Sequence, residues 1–194
     1  ADIVAELIKS GLAVITYNQR DIAGILAMIR HLGAIVGVGD KAEELASSYE
    51  KRLDDLQSKK NYVDRPRVYF EEWDSPMITG IKWVSEIIEV AGGQDIFFEL
   101  AGNEAAIDRI VTSQQVIKAA PDIIVASWCG KKVRPGTFHE REGWSVVPAV
   151  EKNCIYEIKS PLILQPGPAA LTDGLDKLVQ IFDLHYHVKT PAKN

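Results

Sequence analysis

The sequence predicts an α/β fold: one complete Rossmann-like lobe with a parallel sheet flanked by helices, preceded by a long helix and the tail of a first lobe. Three observations carry this expectation. From Arg67 onward, short runs of strand formers alternate with segments at helical spacing, the pattern of a parallel sheet covered by helices. Glycine and proline stops separate them at Gly92-Gly93 and Pro121. One strand-like run, Leu12 to Tyr17, stands apart from the others beyond the helical pattern of Asp21 to Ser58.

Taken in order, Asp2 to Ser10 reads as a helix stopped by Gly11. Leu12 to Tyr17 (LAVITY) reads as a strand, and a lone strand needs a sheet to satisfy its backbone groups. Residues 1–20 are therefore expected to be the tail of a preceding α/β lobe that is mostly absent here. Asp21 is a good N-cap for a helix carrying Ile22, Ile25, Leu26 and Ile29 as far as Gly33. Asp40 opens the next helix, with Leu45, Tyr49, Leu53 and Leu56 on one stripe to about Ser58. Residues 21–64 thus form connecting helices, and 65–194 a complete lobe. Within that lobe Arg67 to Phe70 reads as a strand and Ile78 to Val90 as a helix. Thr112-Ser113 caps a helix ending at Pro121, Ile123 to Ala126 and Ile155 to Ile158 are strands, and Ala169 to Leu184 closes the lobe.

Composition narrows the function classes. The 194 residues are 46% hydrophobic and 25% charged, with a mean hydropathy near zero. A net charge of −5 and a pI near 5.4 argue against a nucleic-acid partner, and Lys131-Lys132-Val133-Arg134 is too short a basic cluster to reverse that. No apolar run approaches the roughly 20 residues of a membrane helix. Ala1-Asp2 opens an amphipathic pattern rather than a signal peptide. Because residue 1 is not Met, removal of an upstream segment is expected. Cys129 and Cys154 lack metal spacing, and a disulfide and two free thiols both remain open.

The ligand edge of such a sheet lies in the loops after the strand C-termini: Glu71 to Met77, Ser127 to Pro135 and Lys159 to Pro166. The first holds Trp73 among Glu71, Glu72 and Asp74, which suits either a rim-packed indole with solvated acids or a surface for a flat ligand. The second adds Trp128, and the third is apolar and proline-stiffened, from Pro161 and Leu162 through Gln165. Together they suit a large rigid ligand. No catalytic residues are expected, since the acids lack a nucleophile motif or metal triad. Cys129 with His139 and Lys131 is a weaker thiolate arrangement, and His185 and His187 fit a frayed helix end better than a metal site. Gly37 to Ala42 matches G-x-G-x-x-A on paper, but without a preceding strand it reads as an interhelical turn.

The stretches TYNQRDIAGILAMIRHLGAIVG, FEEWDSPMITGIKWVSEIIEVAGG, PDIIVASWCGKK and ILQPGPAALTDGL together resemble the periplasmic substrate-binding proteins of cobalamin and ferric-siderophore ABC importers, the cobalamin-type branch most of all. The resemblance spans nearly the whole chain. It implies two α/β lobes joined by a long interlobe helix, here Asp40 to Ser58, with ligand held between them and no resident cofactor. It also implies ligand contacts from the loop bearing Glu72, Trp73 and Asp74, from Trp128, and from the loop bearing Pro161, Leu162 and Gln165. Where some cobalamin binders place an acid and an arginine in that last loop, this chain has Pro161 and Gln165. The likeness further implies docking on a membrane permease near Gln114 and Gln115, where the family uses a glutamate, and a periplasmic or lipid-anchored extracellular location. The expected function is non-catalytic binding of a large metal chelate, cobalamin or another corrinoid first, then a ferric siderophore or haem. The second reading is a self-associating, homodimeric protein derived from such a binder.

Overall fold

The strands that read as continuous apolar runs are buried on both faces, which demands a layer of helices on each side. The computed structural model describes residues 2–59 and 64–189, and the side chains of 187–189, His187 among them, lie outside that description. Helices α1 (Asp2–Lys9), α2 (Ile22–Ile35) and α3 (Gly39–Lys59) come first. Strands β1 (Arg67–Asp74) and β2 (Met77–Thr79) follow, then α4 (Lys82–Val90), β3 (Gln94–Asp95) and α5 (Phe98–Ala101). A 3-10 turn at Ala106–Arg109 leads to α6 (Ser113–Ala119), β4 (Ile123–Ala126) and α7 (Gly136–His139). After a second 3-10 turn at Trp144–Val146 come α8 (Pro148–Glu151), β5 (Ile155–Glu157) and α9 (Ser160–Ile163). A π turn at Ala170–Gly174 then runs into α10 (Leu175–Lys189).

The sheet is mostly parallel. β4 pairs in parallel with β1 on one side and β5 on the other. Beyond β1, β3 pairs in parallel with its first residues and β2 folds back antiparallel onto its last ones. Alternation along the strands feeds two cores. Val68, Phe70, Ile123 and Val125 join α2, α3, α4 and α10 on one face. Tyr69, Ile124 and Ala126 join Trp128, Phe138, Trp144 and Val150 on the other. The α2–α3 hairpin shares the first core through Ile25, Ile29, Ala46 and Leu53. Its two helices touch so closely that a Cβ on Gly33 would lie 2.1 Å from that of Ala42. Gly37 to Ala42 is accordingly the interhelical turn and the first turn of α3.

Two element assignments are corrected. Leu12 to Tyr17 forms no strand: no neighbour among the described residues offers it a ladder, and Leu12 and Ile15 are exposed. The helix expected from Ile78 begins only at Lys82. β-branched Ile78 and Thr79 instead pair with Trp73 and Glu71 of β1, across a turn containing a cis Ser75–Pro76 peptide bond. β1 is correspondingly longer than Arg67 to Phe70, with a bulge between Glu71 and Trp73. No helix among the described residues is long and apolar enough to cross a membrane.

Candidate functional site

Because β1, β4 and β5 run parallel, Asp74, Ala126 and Glu157 end on one edge, and the loops that follow gather there. Trp73 stands at this edge half-buried and donates its indole N–H to the Ser75 carbonyl (2.9 Å). Lys131, from the loop after β4, donates to Asp74 Oδ2 at 2.5 Å. Its ammonium lies 5.6 Å from the Trp73 ring centroid and 4.8 Å from that of Trp128, within cation–π range. Beyond Lys131 opens a depression of about 200 Å³ whose walls include Trp128, Lys132, Glu157, Lys159 and Pro161. Lys159 pairs with Glu157 at 2.8 Å and, with help from the Val133 N–H and Lys132, holds that carboxyl below its usual range.

The other two acids of the first loop are committed elsewhere. Glu71 is fully buried and accepts from both Arg141 Nη atoms (2.6 and 2.9 Å), the Tyr69 hydroxyl (3.0 Å) and the Trp128 indole N–H (3.1 Å). The Arg141 guanidinium is packed against the rings of Phe138 and Trp144. Burial pulls its pKa down, but the Glu71 carboxylate outweighs burial and leaves it raised. Burial, with Glu71 beside it, pushes the Tyr69 phenol well above its ordinary value. Glu72 is held by buried Arg109 at 2.7 Å, and Arg109 also donates to the Thr79 carbonyl.

The sequence-derived residues therefore separate into a surface and its support. Trp73, Asp74, Leu162, Pro161 and Gln165 are half-buried or exposed in the edge loops. Trp128 does not present its face to solvent: it is 3% exposed, stacks near Phe138 and tethers to Glu71. Glu72 is likewise an ion-pair partner rather than a free rim acid. The turn carrying Pro161 and Leu162 is pinned from below, where the Trp83 indole N–H donates to the Ile163 carbonyl (2.9 Å). Gln115 is spent on the capping box of α6, accepting from the Thr112 N–H (2.7 Å), while Gln114 is exposed. His139 bonds Asn153, and both cysteines are free thiols. No group of three or more His, Cys, Asp or Glu side chains among the described residues is placed to hold a metal ion.

Sequence reasoning passed over Lys132 and Lys159 as ligand-edge residues. The available signal was their position, Lys159 two residues after β5 and Lys132 within the loop after β4, both strands ending on this edge. A larger depression of about 370 Å³ lies at the opposite end of the sheet, beside Arg67 and Gln94. Its arginines are engaged, Arg65 with Glu89 and the Gly93 carbonyl and Arg67 with the Ala119 carbonyl.

A family model described as periplasmic binding protein matches residues 2–162. The chain is 26% identical over 191 residues to YvrC, an uncharacterised ABC transporter substrate-binding lipoprotein of Bacillus subtilis, covering 93% of this chain and 57% of that protein. It is 26% identical over 133 residues to a vitamin B12-binding protein of Vibrio parahaemolyticus, covering 68% of this chain and 46% of that one. The chain thus spans about half the length of these curated relatives. Among solved structures, the periplasmic vitamin B12 binding protein BtuF of Vibrio cholerae superposes with a TM-score of 0.65 at 21% identity, over 95% of this chain and 70% of that one. The periplasmic heme-binding protein RhuT from Roseiflexus sp. RS-1 superposes with a TM-score of 0.75 at 20% identity, over 93% and 72%. At these identities the structural likeness establishes the fold.

Proposed function

We infer that this chain, which belongs to the periplasmic binding protein family, is part of the solute-binding component of an ABC importer for a large metal chelate. A corrinoid is the first ligand to test, then a ferric siderophore or haem. The reading is non-catalytic, with a membrane permease as partner and a place outside the cytoplasmic membrane. The relatives' names support the class, one being a substrate-binding lipoprotein and another a vitamin B12-binding protein.

The observation that carries the ligand site is the half-buried indole of Trp73 at the C-terminal edge of three parallel strands. Covering such a ring contributes about 1.5–3 kcal/mol before ordering costs. That alone falls short of the roughly 4 kcal/mol of millimolar binding, so the micromolar to millimolar affinity expected of a single lobe draws on the neighbouring edge loops as well.

Trp83, Trp128 and Trp144 are 5%, 3% and 0% exposed, so Trp73 is the indole a ligand can cover. Tryptophan fluorescence during titration with cyanocobalamin, a ferric hydroxamate and haemin, corrected for their own absorption, tests the reading. Saturable quenching by at least one of them, lost in Trp73→Ala, is the expected result. Equal quenching in the variant would move the site away from Trp73. No saturable quenching by any of the three would overturn the reading.

A further inference from the structure

The edge that carries Trp73 is locally basic in a chain whose net charge is −5. Lys131, Lys132 and Lys159 surround the depression, and the acids within reach are Glu157 and Asp74. Glu157 is taken by Lys159 and Asp74 by Lys131, while Lys132 is exposed. One cation is therefore left over where the ligand is expected to lie.

Lys131 differs from an ordinary surface lysine. Its ammonium sits over two indole rings, which hold a cation in place even when its carboxylate partner changes. Asp74 is an incompletely satisfied counter-ion: Oδ2 meets Lys131, but Oδ1 is buried with no hydrogen-bond partner. The carboxylate of Asp74 thus marks a position where an anion is already tolerated beside the ring of Trp73. The depression, at about 200 Å³, is smaller than the roughly 300–1,000 Å³ typical of a pocket that swallows a whole ligand. Its size suits a single acidic arm.

Resting on the reading of this edge as a ligand surface, we propose that Lys131 selects chelates bearing a carboxylate arm, which enters the depression and replaces Asp74 as its counter-ion. The body of the ligand then lies on Trp73, and Lys132 adds the uncompensated charge. A neutral chelate leaves the Lys131–Asp74 pair intact and gains nothing from Lys132.

Two matched pairs of probes isolate the carboxylate: haemin against its dimethyl ester, and a cyanocobalamin monocarboxylic acid against cyanocobalamin itself. Binding to the full chain is read by fluorescence. In a pair that binds, the acid is expected to bind about five- to tenfold more tightly than its neutral partner, with the ratio shrinking as salt is added. Lys131→Gln should bring the ratio close to one. Asp74→Asn, which removes the internal competitor, should tighten the acid several-fold relative to its neutral partner. A merely structural role would instead weaken both members equally in both variants and lower their melting temperatures. Equal binding of acid and neutral probes by the parent chain, or weaker acid binding in Asp74→Asn, would overturn the selection by Lys131 and leave the importer reading standing. Absence of saturable binding for all four probes would remove the ligand surface, and this proposal with it.

Discussion

A carboxylate buried in a strand survives only when its lone pairs are used and its charge is met. Glu71 satisfies both conditions with four donors: two from Arg141 and one each from Tyr69 and Trp128. Through them it ties β1 to the loop after β4 and to the turn bearing Arg141, so the support beneath Trp73 depends on one side chain. In the sequence Glu71 looked like one of three rim acids. Its partner Arg141 lies 70 residues away, and nothing local announces such a pairing. Glu71→Gln leaves the guanidinium buried without its counter-charge and should cost about 3–5 kcal/mol. Urea denaturation measures it. Glu71→Leu combined with Arg141→Met should cost less than the single change, since no charge is then stranded. A loss below about 1 kcal/mol in Glu71→Gln would show that the pair does not hold the layers together.

At the scale of elements, legibility followed periodicity. The stripe of α3, the apolar run of β4 and the Thr112 cap of α6 could be read because each is set by neighbours within a few residues. β2 could not, because Met77–Thr79 becomes a strand only by pairing with a β1 that continues past Phe70. Leu12 to Tyr17 failed for the converse reason: strand propensity without a partner makes no ladder. The seating of α9 was equally invisible. A Cβ on Gly174 would stand 2.5 Å from the Leu162 carbonyl oxygen and 3.2 Å from its carbon, so the π turn approaches the ligand-edge turn at a distance only glycine permits. Gly174→Ala must push backbone rather than a pliant side chain, and a cost of about 1–3 kcal/mol is expected. Binding of whichever probe quenches Trp73 should weaken in parallel. A variant with the parent's melting temperature and affinity would show that the turn carrying Pro161 and Leu162 is not held by this contact.

Over the whole molecule, the sequence put the three loops on one edge because parallel strands share a C-terminal end, although most of the first loop, Glu71 to Asp74, proved to be the end of β1. It did not show which of their residues face out, since the burial of Trp128 and the ion pair of Glu72 depend on Phe138 and Arg109, which come from other elements. The far end of the sheet carries a different consequence, the dependence of folding on pH. Asp95 is 4% exposed, and burial, aided by the nearby Glu89 carboxylate, pushes its carboxyl from 3.8 up to about 6. Hydrogen bonds from Ser85 and the Phe97 N–H oppose that shift without cancelling it. The folded state thus holds the proton more tightly than the unfolded chain. The stabilisation is fully present below about pH 4 and is lost as pH rises through 6. Exposed carboxylates such as Glu43, lowered by Arg30, act with the opposite sign, but solvent screens them. Asp95→Asn lacks the titrating group. It should be more stable than the parent by roughly 2–3 kcal/mol at pH 7, with the advantage shrinking toward pH 4. Urea unfolding of both proteins between pH 4 and 8 gives the difference directly. Two curves that stay parallel across that range would mean that burial of Asp95 does not govern its proton, and that the core at this end of the sheet admits water.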